Sequence, residues 1–439
     1  MRASAIAAVD IRRRPAYRAT VDRYPPAPGM APTRQDLTTL AQQALAQITT
    51  DGQATVWWER RLAVGEHGIS DLVQQTAELV VLQDGRVGAA STTDLTDAGL
   101  ERAAAAATAH AALDPEPVDA RRLPEPAAGR PHDGWDPTVL TLDAAALATD
   151  LAGLAGDGLA IELRAGAARV AIASTRGVAA FEQRSFASAE VHAPGRPLAA
   201  ATGPDGFDLA ALVAGAQHGF HEGAPQSAEP GEPPVVLGPV AVAQVLEALK
   251  PELAGAESLI AARRGSRVVA PCVNLSDSPS LPGTLPRSYD AEGVPREPVP
   301  LIQDGVAHRF VSDTATGDST GHATRPGHAE PWPDHLVLIG GGAADTDELT
   351  APIELGLFIP AFLQAEHGWL LDGARLVEAG ERTWAVNGIA EVDPIAVLAG
   401  TEALTRAQQL VPTDDDSALT IGATLSPALR ARGGVTIIG

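Results

Sequence analysis

Apolar positions along this chain change period several times, and each change marks a predicted element. Leu37, Leu40, Ala41, Ala44, Leu45 and Ile48 recur at helical spacing behind Thr33-Arg34-Gln35-Asp36, which has the form of a capping box, so the first helix is predicted there. Thr55 to Val64 and Leu72 to Leu82 read as strands, with Gln83-Asp84-Gly85-Arg86 as a tight turn before Val87. Thr96 caps a second predicted helix that runs through an alanine stretch to about Ala112, where Pro115 and Pro117 end it. Residues 113–138, rich in Pro, Asp and Arg, read as a mobile connector. A similar order then returns: a helix over Ala144 to Leu154, strands at Leu159 to Leu163 and Val170 to Ser174, another over Phe181 to His192, and a helix over Leu209 to Gln217. Helix followed by meander is thus predicted twice.

After a Gly-, Pro- and Glu-rich stretch from Glu222 to Pro234, the signals become mostly β. Val235 to Gly238 reads as a strand and Val240 to Leu249 as a helix. Asp304-Gly305, Asp372-Gly373 and Asn387-Gly388 sit between apolar runs and are predicted hairpin turns, because these dipeptides accept positive φ. Glu402 to Leu410 is predicted as a late helix and Val435 to Ile438 as a terminal strand. The expected fold class is α+β in two domains. Residues 30–221 form an antiparallel sheet with helices, 222–234 a linker, and 235–439 a domain dominated by antiparallel sheet; residues 1–29, without period, read as a disordered extension.

Composition narrows the function classes. With 439 residues, 45% hydrophobic and 20% charged, the chain has material for two ordinary cores, while 4% aromatic residues make those cores aliphatic. A formal charge of −23 opposes binding to a nucleic-acid backbone, which requires clustered Lys and Arg, and Lys250 is the only lysine. A single cysteine, Cys272, rules out an internal disulfide and a multi-cysteine zinc site, and is expected as a small buried hydrophobe on a strand. No apolar run reaches the roughly 20 residues of a spanning helix, so a cytoplasmic protein without membrane contact is expected.

Candidate chemistry is sparse. Gly317-Asp318-Ser319-Thr320-Gly321 fits a G-x-S-x-G nucleophile elbow, but the stretch before Ser319 is small and polar and Pro326-Gly327 blocks a helix behind it, so a polar loop is the better expectation. His221-Glu222 lacks the second histidine that a zincin helix carries one turn on, and His218 with His221 reads as a surface pair near the linker. His322, His328 and His335 form a looser set that three-imidazole zinc binding would require to converge. Asp414-Asp415-Asp416 reads as a solvated loop.

One segment resembles a known family. Asn274 to Pro295, with Asp277, Pro279, Leu281-Pro282-Gly283, Ser288, Asp290 and Glu292-Gly293-Val294-Pro295, is similar to the signature of the TldD/PmbA family. Ser319-Thr320-Gly321 with Ala323 and Arg325 resembles the loop that follows it there, with His322 where Asn is common. Asp84-Gly85-Arg86-Val87-Gly88, Ser91-Thr92-Thr93-Asp94 and Ser174-Thr175-Arg176-Gly177-Val178 add to a likeness that runs from about residue 35 to the end. Pro286-Arg287 replaces the glycine usual before Ser288.

In that family a TldD-type subunit holds zinc on an H-E-x-x-x-H helix with a cysteine near the C-terminus, and a TldE/PmbA-type subunit lacks these ligands. The corresponding helix, Val240 to Leu249, has Gln244 and Glu247 but no histidine, and Thr420 to Gly439 has no cysteine. The resemblance therefore implies a TldE/PmbA-like, non-catalytic subunit. It would enclose unfolded or leader-bearing peptides, some in natural-product maturation, beside a zinc-bearing TldD-like partner. No catalytic, cofactor-binding or metal-ligating residue and no cofactor is implied for this chain. The alternatives are an autonomous hydrolase using Ser319 or a His322/His328/His335 metal site, and a homodimeric peptide-binding scaffold.

Overall fold

The first helix, α1 (Arg34–Leu45), starts where its cap dictates: Asp36 N–H donates to Thr33 Oγ1 (3.2 Å) and Thr33 N–H returns a bond to the Asp36 carboxylate (2.8 Å). It belongs to a computed structural model that describes residues 31–114, 123–155, 159–218, 224–328, 330–413 and 417–438. The predicted extension over 1–29, His221 and Asp414 to Asp416 lie outside the described residues, as does the side chain of His218.

A six-stranded antiparallel sheet follows, built from β1 (Asp51–Gly65), β2 (Gly68–Gln83), β3 (Arg86–Thr92), β4 (Ala160–Ser174), β5 (Ala179–His192) and β6 (Leu198–Ala201) in the order β3-β2-β1-β4-β5-β6. The two predicted meanders are therefore joined at their first strands, with Trp57 of β1 opposite Val170 of β4. Asp84 and Gly85 both take positive φ, 54° and 72°, as a two-residue hairpin turn needs. Together with α1, helices α2 (Asp97–Leu113), α3 (Ala144–Ala155) and α4 (Leu209–His218) bury Leu37, Leu100, Leu151 and Val213 against Val56, Leu62, Leu79 and Leu163.

Two sequence expectations fail in this half. The strands predicted at Leu159 to Leu163 and Val170 to Ser174 are one continuous strand, β4, which begins at Ala160, and the intervening Ala165-Gly166-Ala167-Ala168 is small for a packing reason. A Cβ on Gly166 would stand 2.5 Å from the Phe186 ring, so the strand signal is sacrificed to let that ring lie on the sheet. The connector is also pinned where it is described: Gly129 N–H donates to the Tyr289 hydroxyl (2.7 Å) and Ser288 Oγ donates to Arg130 O (2.6 Å).

Beyond residue 224 the described residues contribute α5 (Pro239–Leu249), three shorter helices, α6 (Leu259–Ala262), α7 (Thr346–Thr350) and α8 (Pro394–Ala399), and fifteen strands. These are β7 (Gln226–Ser227), β8 (Val235–Leu237), β9 (Leu275–Asp277), β10 (Val299–Gln303), β11 (Val306–Ala307), β12 (Leu336–Leu338), β13 (Leu355–Ile359), β14 (Ala361–Ala365), β15 (Gly368–Asp372), β16 (Arg375–Glu378), β17 (Glu381–Asn387), β18 (Ile389–Val392), β19 (Thr401–Pro412), β20 (Ala423–Ala431) and β21 (Val435–Ile437). One mixed sheet runs β11-β10-β9-β12-β20-β8-β13-β16-β17-β7, with β19 beside β20, and an antiparallel sheet runs β14-β15-β18-β21. The α+β class holds, with mostly antiparallel pairing.

Here three local readings are corrected. Glu402 to Leu410 is not a helix but part of β19, whose residues pair with β20 from Thr401 opposite Ala431 to Pro412 opposite Ala423. Helix-favouring Ala, Leu and Gln yield to a partner strand that only the tertiary fold supplies. Asp304-Gly305 does turn a hairpin, β10 to β11, whereas Asp372-Gly373 and Asn387-Gly388 carry the chain between the two sheets. The β16–β17 hairpin turns instead on Ala379-Gly380, with φ of 50° and 86°, where an alanine hides the signal.

Candidate functional site

The helix α5 is capped by Gly238 and opens with Pro239, whose missing N–H costs nothing at a helix start. Val240, Ala241, Val242, Ala243, Val245, Leu246 and Leu249 are buried, so few positions remain for chemistry. Gln244 spends its amide on the edge of β14: Nε2 donates to Phe362 O (2.8 Å) and Oε1 accepts from Phe362 N–H (2.8 Å). The side chain imitates one peptide unit of a neighbouring strand. Glu247 is paired with Lys250 Nζ at 2.7 Å and accepts from Thr424 Oγ1 at 3.2 Å, and the lysine itself is fully buried. This donor set does not fit a zinc ion, which takes neutral imidazoles, thiolates or free carboxylates. One group is an amide committed to backbone, and the other a carboxylate already neutralised by an ammonium.

Next to α5, a buried polar network joins β5 to residues 277–335. Asp290 receives N–H bonds from Glu292 (2.9 Å), Val294 (2.9 Å) and Ala323 (3.0 Å), which folds the Asp290-Ala291-Glu292-Gly293 turn onto the next loop. Gly293 has φ of 79°, and a Cβ there would meet Val178 at 2.7 Å, so glycine is required on both counts. Arg296 donates to Gly321 O (2.8 Å), Trp332 O (3.3 Å), Asp334 Oδ2 (3.1 Å) and His335 Nδ1 (3.1 Å). From the sheet, Arg184 donates to the carbonyls of Leu285, Pro286, Ala418, Leu419 and Ile421. The residues of the family-like segment thus tie the two halves together.

Histidines within this network are fixed by their bonds. His322 Nε2 meets Asp277 Oδ1 at 3.0 Å and Nδ1 meets Thr320 Oγ1 at 2.8 Å, with all three residues at most 2% exposed. The Thr–His–Asp order has the outline of a nucleophile relay, yet Thr320 Oγ1 also bonds Ser312 N (2.8 Å) and O (3.0 Å) and no substrate can reach it. Burial opposes ionisation of Asp277, but His322, Arg296 and His335 hold its carboxyl well below the usual carboxylate range. His335 donates from Nε2 to Leu285 O (2.8 Å), and burial with Arg296 alongside pushes it down to about 3, so the imidazole is neutral.

The sequence-derived candidates fare as follows. Ser319 lies in a loop with its Oγ accepting from Gly321 N–H (3.2 Å), without strand before or helix behind, so no elbow forms. His322 and His335 both contact Asp277, while His328 stands half-buried on the following turn. Among the described residues no three His, Cys, Asp or Glu side chains are arranged to hold a metal ion. Cys272 is not a buried strand residue: it is exposed, in a turn, with Sγ 3.5 Å from Thr401 O. Pro271 before it breaks the strand that its apolar neighbours suggest.

Sequence reasoning missed the structural roles of Arg184, Lys250, Asp334 and Arg287, although Lys250 and Arg287 were noted for other reasons. A signal existed for the first, since Glu182 and Arg184 alternate with Phe186 on one strand face, which is unusual for a solvated surface. Lys250 was visible as the lone lysine but not as a buried one.

A family model described as the PmbA/TldA metallopeptidase C-terminal domain matches residues 230–434. Residues 230–434, just under half of the chain, are thus similar to that C-terminal domain. No curated protein matches it in sequence. Among solved structures it is similar to TldE from Thermococcus kodakarensis, at 18% identity, TM-score 0.77, covering 91% of this chain and 99% of that one. Similar too are two proteins described as candidate modulators of DNA gyrase. The one from Thermotoga maritima has 18% identity and TM-score 0.70, covering 92% and 99%; the one from Bacteroides thetaiotaomicron has 17% and 0.73, covering 93% and 99%. At such identities the structures establish the fold over nearly the whole chain, and the likeness to the PmbA/TldA metallopeptidase C-terminal domain is confined to residues 230–434. No helix among the described residues is long and apolar enough to cross a membrane.

Proposed function

We propose that this chain is the non-catalytic, substrate-enclosing subunit of a heterodimeric TldD/TldE-like zinc metallopeptidase that acts on unfolded or leader-bearing peptides in the cytoplasm. The observation that carries the reading is α5, where Gln244 is bound to the β14 backbone and Glu247 to a buried ammonium. A subunit of this kind supplies walls and binding surface, and the water activated by zinc belongs to its partner. Co-expression with a zinc-bearing homologue is expected to give a stable complex that cleaves an unfolded peptide, while the isolated chain does not. Turnover by the isolated chain with one tightly bound zinc would contradict the reading, as would failure to associate at micromolar concentration. Self-association without the homologue would favour a homodimeric scaffold instead.

A further inference from the structure

Arg287 sits where the family-like segment departs from its usual form, and its surroundings set it apart from the other arginines of the network. Its backbone N–H is anchored to Pro279 O at 2.7 Å, and its side chain is 18% exposed. Among the described residues its Nε, which is buried, has no hydrogen-bond partner. The carboxylate oxygen paired with it, Asp334 Oδ2, is 3.7 Å away and is already engaged by Arg296 at 3.1 Å. Arg184 and Arg296 direct their forks into carbonyls, a carboxylate and an imidazole, whereas Arg287 has a donor face left over and an opening to solvent.

Electrostatics point the same way. Burial and the Arg296 guanidinium press the Arg287 pKa downward, and the carboxylates of Glu182, Asp334 and Asp290 only partly offset them. The chain as a whole is at −23, so an under-neutralised guanidinium at its surface is a local exception. Asp334, the carboxylate paired with it, also feels the charge of Lys250 beside Glu247.

We propose that Arg287 binds a carboxylate of an extended peptide, either its C-terminus or an acidic side chain, through the guanidinium fork. A carboxylate matches that fork in a planar, two-bond arrangement and supplies the charge that Asp334 shares out. The proposal rests on the peptide-enclosing reading, and it assigns to this subunit a selective contact with the substrate.

The test titrates the isolated full chain with a fluorescent hexapeptide of otherwise neutral residues in three forms: free C-terminus, amidated C-terminus with a central Glu, and amidated with Gln in its place. Binding is expected for one or both carboxylate forms, which also identifies the source, and not for the amidated Gln form. Arg287→Gln is expected to weaken it about tenfold. Arg287→Lys, which keeps the charge and loses the fork, is expected to weaken it about threefold and stands in if Arg287→Gln does not fold. Equal binding of all three peptides, or full affinity in the substituted chains, would overturn the proposal. Subunit pairing is measured separately by pull-down, so failure here is distinguishable from failure of the heterodimer.

Discussion

The two faces of the six-stranded sheet use the same strands for opposite physics. Toward the helices, β1 presents Val56, Trp58, Leu62 and Val64, packed with small and aliphatic side chains. Toward residues 277–335 and 417–421, β1 presents Glu59 and β5 presents Glu182, Arg184 and Phe186, all buried. Glu59 accepts from Ser417 Oγ and from Arg61 Nε (2.8 Å), and Glu182 from His132 Nε2 (3.0 Å) and the Ser288 N–H. An apolar face tolerates many partners of the right volume. A charged one is stable only against a matching set of donors and acceptors, which is how this sheet selects one docking of the C-terminal half.

The largest expected effect breaks the charged face. Arg184→Ala strands five carbonyls and removes one of the two guanidinium groups beside Glu182, and should lower unfolding free energy by about 3–5 kcal/mol in denaturant titration. A smaller loss, about 1–3 kcal/mol, is expected for Gly166→Val, which drives a branched side chain into the Phe186 ring at the centre of that face.

Proton linkage sharpens the comparison next. Burial and the adjacent Asp290 push Glu292 up to about 7, so its contribution to stability is full below the ordinary carboxyl range and is lost as pH rises through about 7. The melting temperature of the chain should therefore fall between about pH 4.5 and pH 7, and Glu292→Gln should flatten part of that slope. The smallest effect is expected on the exposed β2 segment near the hairpin tip. Ile69 is 52% exposed there, and Ile69→Ser should stay within about 0.5 kcal/mol of wild type. A large loss at Ile69 would mean that this end of the sheet is covered in the functional assembly.

What the sequence by itself determined is the set of elements whose signal is local. The capping box of α1, the Asp84-Gly85 and Asp304-Gly305 turns, the doubled helix-and-meander order and the resemblance of residues 274–295 all follow from neighbours a few positions apart. Tertiary structure alone decided the rest. β19 became a strand because β20 lies beside it, β4 ran unbroken through small residues because Phe186 needed the space, and Arg184 and Arg287 acquired meaning only from groups far away in sequence. The physical reason is common to them: a buried charge is tolerable only when its counterparts are brought from other segments, and no local pattern records who those counterparts are.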